Sequence, residues 1–118
     1  MTRKKIVLVG GGQIGGNLAL LATQKELGNV VIYDIPPAEG MSKGKALDIM
    51  QLRPHDGYDT DLEGSSDPIS MQDADVVIIT AGVPRKPGMD REDLLDINIK
   101  IISDVANNVK KYAPNAFV

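Results

Sequence analysis

The sequence contains no cysteine, no tryptophan and only one histidine among its 118 residues. The absence of cysteine excludes disulfide bonds and thiolate chemistry, and it favours a reducing compartment, for which a bacterial-type cytoplasm is the simplest interpretation. Aromatic residues make up 3% of the chain, the formal net charge is -3, and no Lys/Arg cluster carries interleaved aromatics. The composition therefore argues against a nucleic-acid partner, whereas local arginines leave anionic metabolites open as ligands.

Long apolar runs are also missing. The basic segment 2–5 is followed by only four apolar residues, 6–9, before the chain reaches glycine. This run is too short for a signal sequence or a membrane span, so no membrane association is expected. No metal site is expected either, because the acidic stretch 56–67 lacks the terminal glutamate of a calcium loop. The length suits one ordinary domain.

Short β-branched runs alternate with segments of helical apolar spacing. The predicted strands are 6–9, 30–33, a weak segment 58–62, and 76–80. The predicted helices are 13–25, 44–52 and 92–111, the last with a wide apolar stripe. This alternation predicts an α/β fold with a doubly wound parallel sheet. Residues 116–118 resemble the start of a further strand, so a truncated domain is expected, with a fraying tail as the alternative.

A glycine-rich segment joins the first predicted strand to the first predicted helix. Glycines at the first, third and sixth positions of such a loop allow a tight turn, close approach to a pyrophosphate, and close packing of helix on strand. The helix N-terminus behind them offers unpaired N–H groups and the positive end of its dipole. The segment predicted to bind a dinucleotide pyrophosphate is Gly10, Gly11, Gly12, Gln13, Ile14 and Gly15.

An acidic residue ends the second predicted strand at the spacing that this motif requires. Asp34 lies 19 residues beyond Gly15, where a carboxylate accepts hydrogen bonds from the ribose hydroxyls of adenosine and repels a 2′-phosphate. The two features together predict NAD rather than NADP as the cofactor. A structural glycine turn with a capping aspartate is the alternative.

The segment 82–91 after the fourth predicted strand contains two arginines, Arg85 and Arg91, among glycines and prolines. Ligands of open α/β sheets bind at this end of the strands. The segment is therefore predicted to be a mobile loop that brings positive charge to a bound anion. From the spacing alone, a solvated charged loop is the more common case.

Several segments of the chain resemble malate dehydrogenases of the lactate-dehydrogenase-like branch. Residues 79–95, which read Ile-Thr-Ala-Gly-Val-Pro-Arg-Lys-Pro-Gly-Met-Asp-Arg-Glu-Asp-Leu-Leu, are similar to that family, as is Asn98 after them. The glycine loop through Gly16, the strand that ends at Asp34, and residues 44–49, Gly-Lys-Ala-Leu-Asp-Ile, resemble the family in the same order. The resemblance covers essentially the whole chain and implies that residues 1–118 form a Rossmann-type NAD-binding domain, incomplete at its C-terminus.

The resemblance implies a role for each polar residue after the fourth strand. Arg85 would pair with the far carboxylate of malate or oxaloacetate, where a lactate dehydrogenase typically carries a glutamine-type residue. Arg91 would polarise the reacting carbonyl oxygen. Asn98 would lie at the nicotinamide side of the NAD site, although without the resemblance it is a solvated helix asparagine. Gly11 replaces the Ala or Ser that is common in the family, and it is expected to loosen the loop.

The family's catalytic histidine and its aspartate come later in the sequence. By the resemblance they are expected beyond Val118, so no catalytic residue is expected among these 118 residues. His55 is interpreted as a surface residue, and Lys43 and Lys45 as surface charges. The chain is expected to be the N-terminal part of a cytoplasmic, homo-oligomeric malate dehydrogenase that uses NAD and a dicarboxylate substrate, and to be inactive alone. The alternatives are a lactate or other 2-hydroxy-acid dehydrogenase and a stand-alone NAD-binding module.

Overall fold

The computed structural model describes residues 2–118, in which strands and helices alternate as the sequence predicts. The strands are β1 (Lys5–Val9), β2 (Asn29–Tyr33), β3 (Leu62–Ser65) and β4 (Val76–Ile79). The helices are α1 (Gln13–Gln24), α2 (Glu39–Met50), a single turn α3 (Arg53–Asp56) and the long α4 (Arg91–Tyr112). Two short 3₁₀ segments, Pro36–Ala38 and Pro68–Met71, lie in the connections.

All four strands are parallel and lie in the order β3-β2-β1-β4. The predicted doubly wound α/β fold is confirmed. Because the order runs outward from β1 to β2 and β3 on one side and to β4 on the other, the switch point lies between β1 and β4. The loops that follow β1 and β4 therefore face each other across the crevice where this fold binds ligands.

Helices cover both faces of the sheet because both sets of alternating strand side chains are apolar. One face of β1 and β2 packs against α1 and α2, and the opposite face packs against α4 and the second 3₁₀ segment. The first core contains Ile6, Leu8, Ala19, Val30, Ile32, Ala46, Ile49 and Leu62. The second contains Val7, Val9, Val31, Tyr33, Met71, Val77, Val105 and Val109.

β4 is less buried than its apolar sequence predicts. Val77 is buried, whereas Ile78 is 37% exposed. Within residues 2–118, β4 pairs with β1 along one side. On its other side the only pairing is an isolated parallel bridge between Val76 and Phe117. That bridge agrees with the prediction that a strand begins at 116–118, although Val118 itself lies outside the bridge and is exposed. A sequence run alone cannot distinguish a central strand from one that lacks a full neighbour.

The third strand was predicted at 58–62, but the structure places it at Leu62–Ser65. The alternation around Tyr58 has another cause, because the Tyr58 hydroxyl donates to Ile49 O at 2.5 Å and Thr60 Oγ1 donates to Thr23 O at 2.8 Å. Both residues lie in a loop, and their side chains are buried. β3 has little intrinsic strand propensity and forms through pairing with β2, where Val30 matches Leu62 and Tyr33 matches Ser65.

The second helix begins at Glu39, five residues before the predicted start at Gly44. Gly40 and Gly44 have poor helix propensity, so the sequence pattern does not predict the first turn of this helix. The turn is supported instead by the preceding Pro36–Ala38 segment and by an ion pair in which Lys43 Nζ lies 2.6 Å from Glu39 Oε1. The bounds of α1 and α4 agree with the prediction within one residue at each end.

Candidate functional site

The loop after β1 presses against the end of β4. Gly10 has φ 110°, and its N–H donates to Tyr33 O at 2.8 Å. A Cβ atom at Gly10 would lie 2.9 Å from Ala81 N, so both the positive φ and the close approach require glycine there. A Cβ at Gly15 would collide with Gly10 O, and the first turn of α1 can therefore lie directly on the end of β1.

The N-terminus of α1 is open to a ligand. Gly12 is its N-cap and supplies no side chain to cap the helix, and a Cβ there would meet nothing within 4 Å. Nowhere in residues 2–118 does an atom accept a hydrogen bond from the amides of Gly12, Gln13 or Ile14. Unpaired amides at a helix N-terminus favour an anion, so this loop fits the pyrophosphate of a dinucleotide.

Asp34 follows β2 and its carboxylate is already oriented by the backbone. Oδ2 accepts a hydrogen bond from Gly11 N–H at 2.7 Å, and Oδ1 accepts one from Ile35 N–H at 2.8 Å. Each carboxylate oxygen has a second lone pair available for a ribose hydroxyl. Burial, followed by the charges of Asp34 and Asp67, raises the pKa of the neighbouring Tyr33 above 10.0, so this phenol stays neutral beside the carboxylate.

Gly11 lies between the glycine loop and α2 in a crowded position. A Cβ there would lie 2.5 Å from Ser42 Oγ, 3.0 Å from Ile32 Cγ2 and 3.2 Å from Asp34 Oδ2. The expectation that Gly11 loosens the loop stays a prediction. Its lack of a side chain lets the loop pack closely, and its N–H holds Asp34.

The arginine-containing segment leaves the end of β4 and joins α4. Asn98 on α4 holds its start, because Asn98 Oδ1 accepts from Val83 N–H at 2.8 Å and Nδ2 donates to Val83 O at 3.4 Å. At the other end, Asp90 and Asp93 form a capping box at the N-terminus of α4. Arg85 lies in the loop, where its Nε donates to Met89 O at 3.2 Å, whereas Arg91 is the first residue of α4.

The family model for the lactate/malate dehydrogenase NAD binding domain matches residues 4–118. The chain belongs to the lactate/malate dehydrogenase family. It is 67% identical over 116 residues to the malate dehydrogenase of Myxococcus xanthus, a match that covers 98% of this chain and 37% of that protein. The recognition from the sequence and the prediction of NAD are confirmed at the level of the family's NAD-binding domain.

Solved members of the lactate/malate dehydrogenase family share the fold. The malate dehydrogenase of Cryptosporidium parvum matches with a TM-score of 0.89 and 52% identity, over 99% of this chain and 37% of that one. The lactate dehydrogenase of the same organism, solved with lactic acid and NAD, matches with a TM-score of 0.90 and 46% identity, over 100% of this chain and 37% of that one. The backbone therefore does not separate the two activities, and side chains must do so.

Lys45 contacts the glycine loop, which the sequence did not predict. It was interpreted as a surface charge, but its Nζ donates to Gly11 O at 2.5 Å and to Gly12 O at 2.9 Å. The two carbonyls lie more than thirty residues away in the sequence. Sequence periodicity does not indicate such a contact, because the contact depends on how α2 packs against the glycine loop.

His55 lies at the other end of the α1 layer from the glycine loop. It is in α3, its side chain is 85% exposed, and the neighbouring Asp56 accepts a hydrogen bond from Gln24, the last residue of α1. The twelve residues of α1 span roughly 18 Å at 1.5 Å per residue. The interpretation of His55 as a surface residue agrees with this placement. The catalytic histidine and aspartate expected beyond Val118 lie outside this sequence, so their position stays a prediction.

A cavity of about 660 Å³ lies at the amino ends of the strands, away from the glycine loop. It is lined by Lys5, Asn29 and Leu62, which begin β1, β2 and β3, together with Arg3 and Asp61. Ligands of this fold bind at the opposite, carboxyl ends of the strands. Residues 2–118 include no group of three or more His, Cys, Asp or Glu placed to hold a metal ion, and no helix long and apolar enough to cross a membrane.

Proposed function

We propose that this chain is the N-terminal NAD-binding part of an NAD-dependent malate dehydrogenase, and that the whole protein interconverts malate and oxaloacetate. The chain spans 37% of the length of the Myxococcus xanthus malate dehydrogenase, so the activity belongs to a larger protein in this proposal. Bound NAD supplies the hydride acceptor and, when reduced, the hydride donor. The amides of Gly12, Gln13 and Ile14 hold the pyrophosphate, and Asp34 binds the adenosine ribose.

The observation that carries the choice of malate is the state of the arginines. Arg3 pairs with Asp59 and Glu26, and Arg53 pairs with Asp59 and Asp61, all at the other end of the sheet. Arg85 and Arg91 are exposed and have no acidic partner within 4.0 Å in the part of the chain that the structure describes.

Two uncompensated guanidinium groups beside an NAD site suit a substrate that brings negative charge with it. Oxaloacetate has a second carboxylate, which Arg85 can bind through two parallel hydrogen bonds. Arg91, held at the start of α4 by the capping box, is placed in our proposal against the reacting carbonyl oxygen, where it stabilises the charge that develops as hydride arrives. Pyruvate has a methyl group in place of the second carboxylate and leaves Arg85 unpaired.

A lactate dehydrogenase is the second candidate, because the lactate dehydrogenase of Cryptosporidium parvum has the same fold at a TM-score of 0.90. The test is the Arg85→Gln variant of the complete protein, assayed with oxaloacetate and with pyruvate. We expect kcat/KM for oxaloacetate to fall by about 100-fold or more, as for a charge pair that loses one partner, and kcat/KM for pyruvate to change little. Lys86→Gln is the matched control, since it removes one positive charge from the adjacent exposed position. An equal loss with both substrates would refute the role of Arg85.

The 118-residue chain alone is proposed to lack dehydrogenase activity. Its one histidine lies away from the glycine loop, and hydride transfer to a carbonyl requires a proton donor beside the reacting oxygen. In this proposal the donor is a histidine beyond Val118. Oxaloacetate-dependent oxidation of NADH, followed at equal concentrations of this chain and of the complete protein, tests the proposal. Clear turnover by the chain alone would overturn it.

We also propose that the complete protein is a homo-oligomer. Leu95, Ile99 and Ile102 on α4 are 57%, 54% and 40% exposed, which leaves an apolar stripe for a neighbouring surface. Light scattering on the complete protein and on Ile99→Lys is the test. A monomeric wild type would refute the proposal.

A further inference from the structure

We propose that Lys45 is a positioning residue of the cofactor site, which aims the backbone amides of the glycine loop at the pyrophosphate. This inference rests on the NAD-binding part of the proposed function. It concerns a residue on α2, a helix outside the glycine loop and outside the segment that carries the arginines.

The lysine side chain lies across the glycine loop rather than in solvent. Its Nζ donates to the carbonyl oxygens of Gly11 and Gly12, at 2.5 and 2.9 Å. A Cβ atom at Gly16 would come within 3.2 Å of both Cδ and Nζ of Lys45, so α1 leaves just enough space for the side chain to pass. Lys43, two residues earlier on the same helix, is exposed and pairs with Glu39 instead.

The two carbonyls converge on one point, which brings the negative ends of two peptide dipoles together. An ammonium group has three N–H donors and no acceptor, and it compensates both carbonyls at once. Gly12 O also accepts the first helical hydrogen bond of α1, from Gly16 N–H at 2.9 Å. Lys45 therefore stabilises the point at which the loop becomes a helix.

The consequence for the ligand follows from peptide geometry. In a trans peptide the C=O and N–H bonds point in opposite directions. The carbonyl of Gly11 shares its peptide with Gly12 N–H, and the carbonyl of Gly12 shares its peptide with Gln13 N–H. Because Lys45 holds both carbonyls on its own side, both amides point to the opposite side, and neither has a partner within residues 2–118. Preorganised amides of this kind are what the pyrophosphate requires.

The test compares Lys45→Met, Lys45→Arg and the control Lys43→Met in the complete protein, with NADH, ADP and adenosine as ligands in calorimetric titrations. We expect Lys45→Met to weaken NADH and ADP about tenfold, as for the loss of a charge-assisted contact, and adenosine by less than about twofold because it has no pyrophosphate. Lys45→Arg retains the charge, but its larger planar guanidinium has to fit the narrow space beside Gly16, so it is expected to recover only part of the affinity. Lys43→Met is expected to bind all three ligands like the wild type.

A second readout does not need the ligand. With selective ¹⁵N-glycine labelling, the Gly12 amide resonance is expected to move in unliganded Lys45→Met and to stay in place in Lys43→Met, because only the first change releases the Gly11 carbonyl. Wild-type affinity for NADH and ADP in Lys45→Met, an equal loss for adenosine, or an unmoved Gly12 resonance would each overturn the role of Lys45. Failure of the wild type to bind NADH would instead overturn the proposed function, and this inference with it.

Discussion

The backbone N–H of Gly11 donates a 2.7 Å hydrogen bond to Oδ2 of Asp34. This bond joins the two halves of the cofactor-binding signature, the loop after β1 and the acid after β2. A second amide, that of Ile35, holds Oδ1 at 2.8 Å. The carboxylate is thus oriented within the protein itself, and ribose binding need not order it.

The first prediction concerns discrimination between the two dinucleotides. Asp34→Asn removes the negative charge and leaves only one oxygen to serve both the backbone amides and the ribose. We expect NADH to bind about tenfold more weakly, since hydrogen bonds to a charged group are lost. NADPH should gain relative to NADH, because the 2′-phosphate no longer meets a carboxylate. Fluorescence titration with both nucleotides measures the ratio. Glu63→Gln on β3 is the control, and an unchanged NADPH/NADH ratio in Asp34→Asn would contradict the prediction.

The second prediction concerns the crowded contact between Gly11 and Ser42. Gly11→Ala places a Cβ 2.5 Å from Ser42 Oγ, and we expect it to lower the free energy of unfolding by about 1–3 kcal/mol, as for other overpacked positions. Ser42 is fully buried and its Oγ has no hydrogen-bond partner among residues 2–118. Ser42→Ala should therefore be neutral or stabilising by itself.

The Gly11→Ala/Ser42→Ala double variant should recover most of the lost stability, because the closest clashing atom is gone. The Cβ added at position 11 still lies 3.0 Å from Ile32 Cγ2 and 3.2 Å from Asp34 Oδ2, so the recovery is not complete. Urea unfolding of the four proteins gives the coupling free energy. Strictly additive effects would show that the two positions do not interact.

The third prediction concerns the start of the arginine-containing segment. Asn98→Ala removes the acceptor that holds Val83 N–H at 2.8 Å and the weaker contact to Val83 O. We expect the Val83 amide to exchange its hydrogen about fivefold faster in the unliganded protein, since a hydrogen bond of about 1 kcal/mol is lost. Hydrogen exchange read by mass spectrometry on a peptide that spans 82–91 measures the change. Asn107→Ala, at an exposed position on the same helix, should leave the exchange unchanged.

The fourth prediction concerns acid stability. Asp75 accepts a hydrogen bond from Lys5 N–H at 2.8 Å and lies 3.3 Å from Lys4 Nζ, and these contacts lower the pKa of its carboxyl below the ordinary 3.8. A depressed pKa in the folded state means that the ionised group stabilises the fold above about pH 3.8, and that this stabilisation disappears as the pH falls through the folded-state value.

Asp75→Asn should therefore unfold at a lower temperature than the wild type at neutral pH, and the difference should shrink at pH values below 3.8. Thermal unfolding followed by circular dichroism across this range checks the trend. Asp104→Asn, at an exposed position on α4, is the control. A difference between Asp75→Asn and the wild type that stays constant with pH would exclude the carboxylate as its cause.

Much of the fold follows from local patterns. β1, β2, α1 and α4 agree with the predicted spans within one residue at each end, because each is a continuous apolar run or a periodic stripe bounded by glycine, proline or charge. The predicted position of β3 was wrong because Leu62–Ser65 forms a strand by pairing with β2, and not through a strand propensity of its own. The predicted start of α2 was wrong because two glycines near its N-terminus have low helix propensity.

The sequence by itself determined the cofactor loop, since the glycines of Gly10 to Gly15 and the acid at Asp34 occur at the spacing of a dinucleotide-binding strand–turn–helix unit. Only the tertiary structure decided that Lys45 lies on the carbonyls of Gly11 and Gly12, that Ser42 closes over Gly11, and that Asn98 holds Val83. Each of these contacts joins residues at least fifteen positions apart. No helical or strand period links such residues, and they meet only because α2 and α4 pack against the two faces of a parallel sheet.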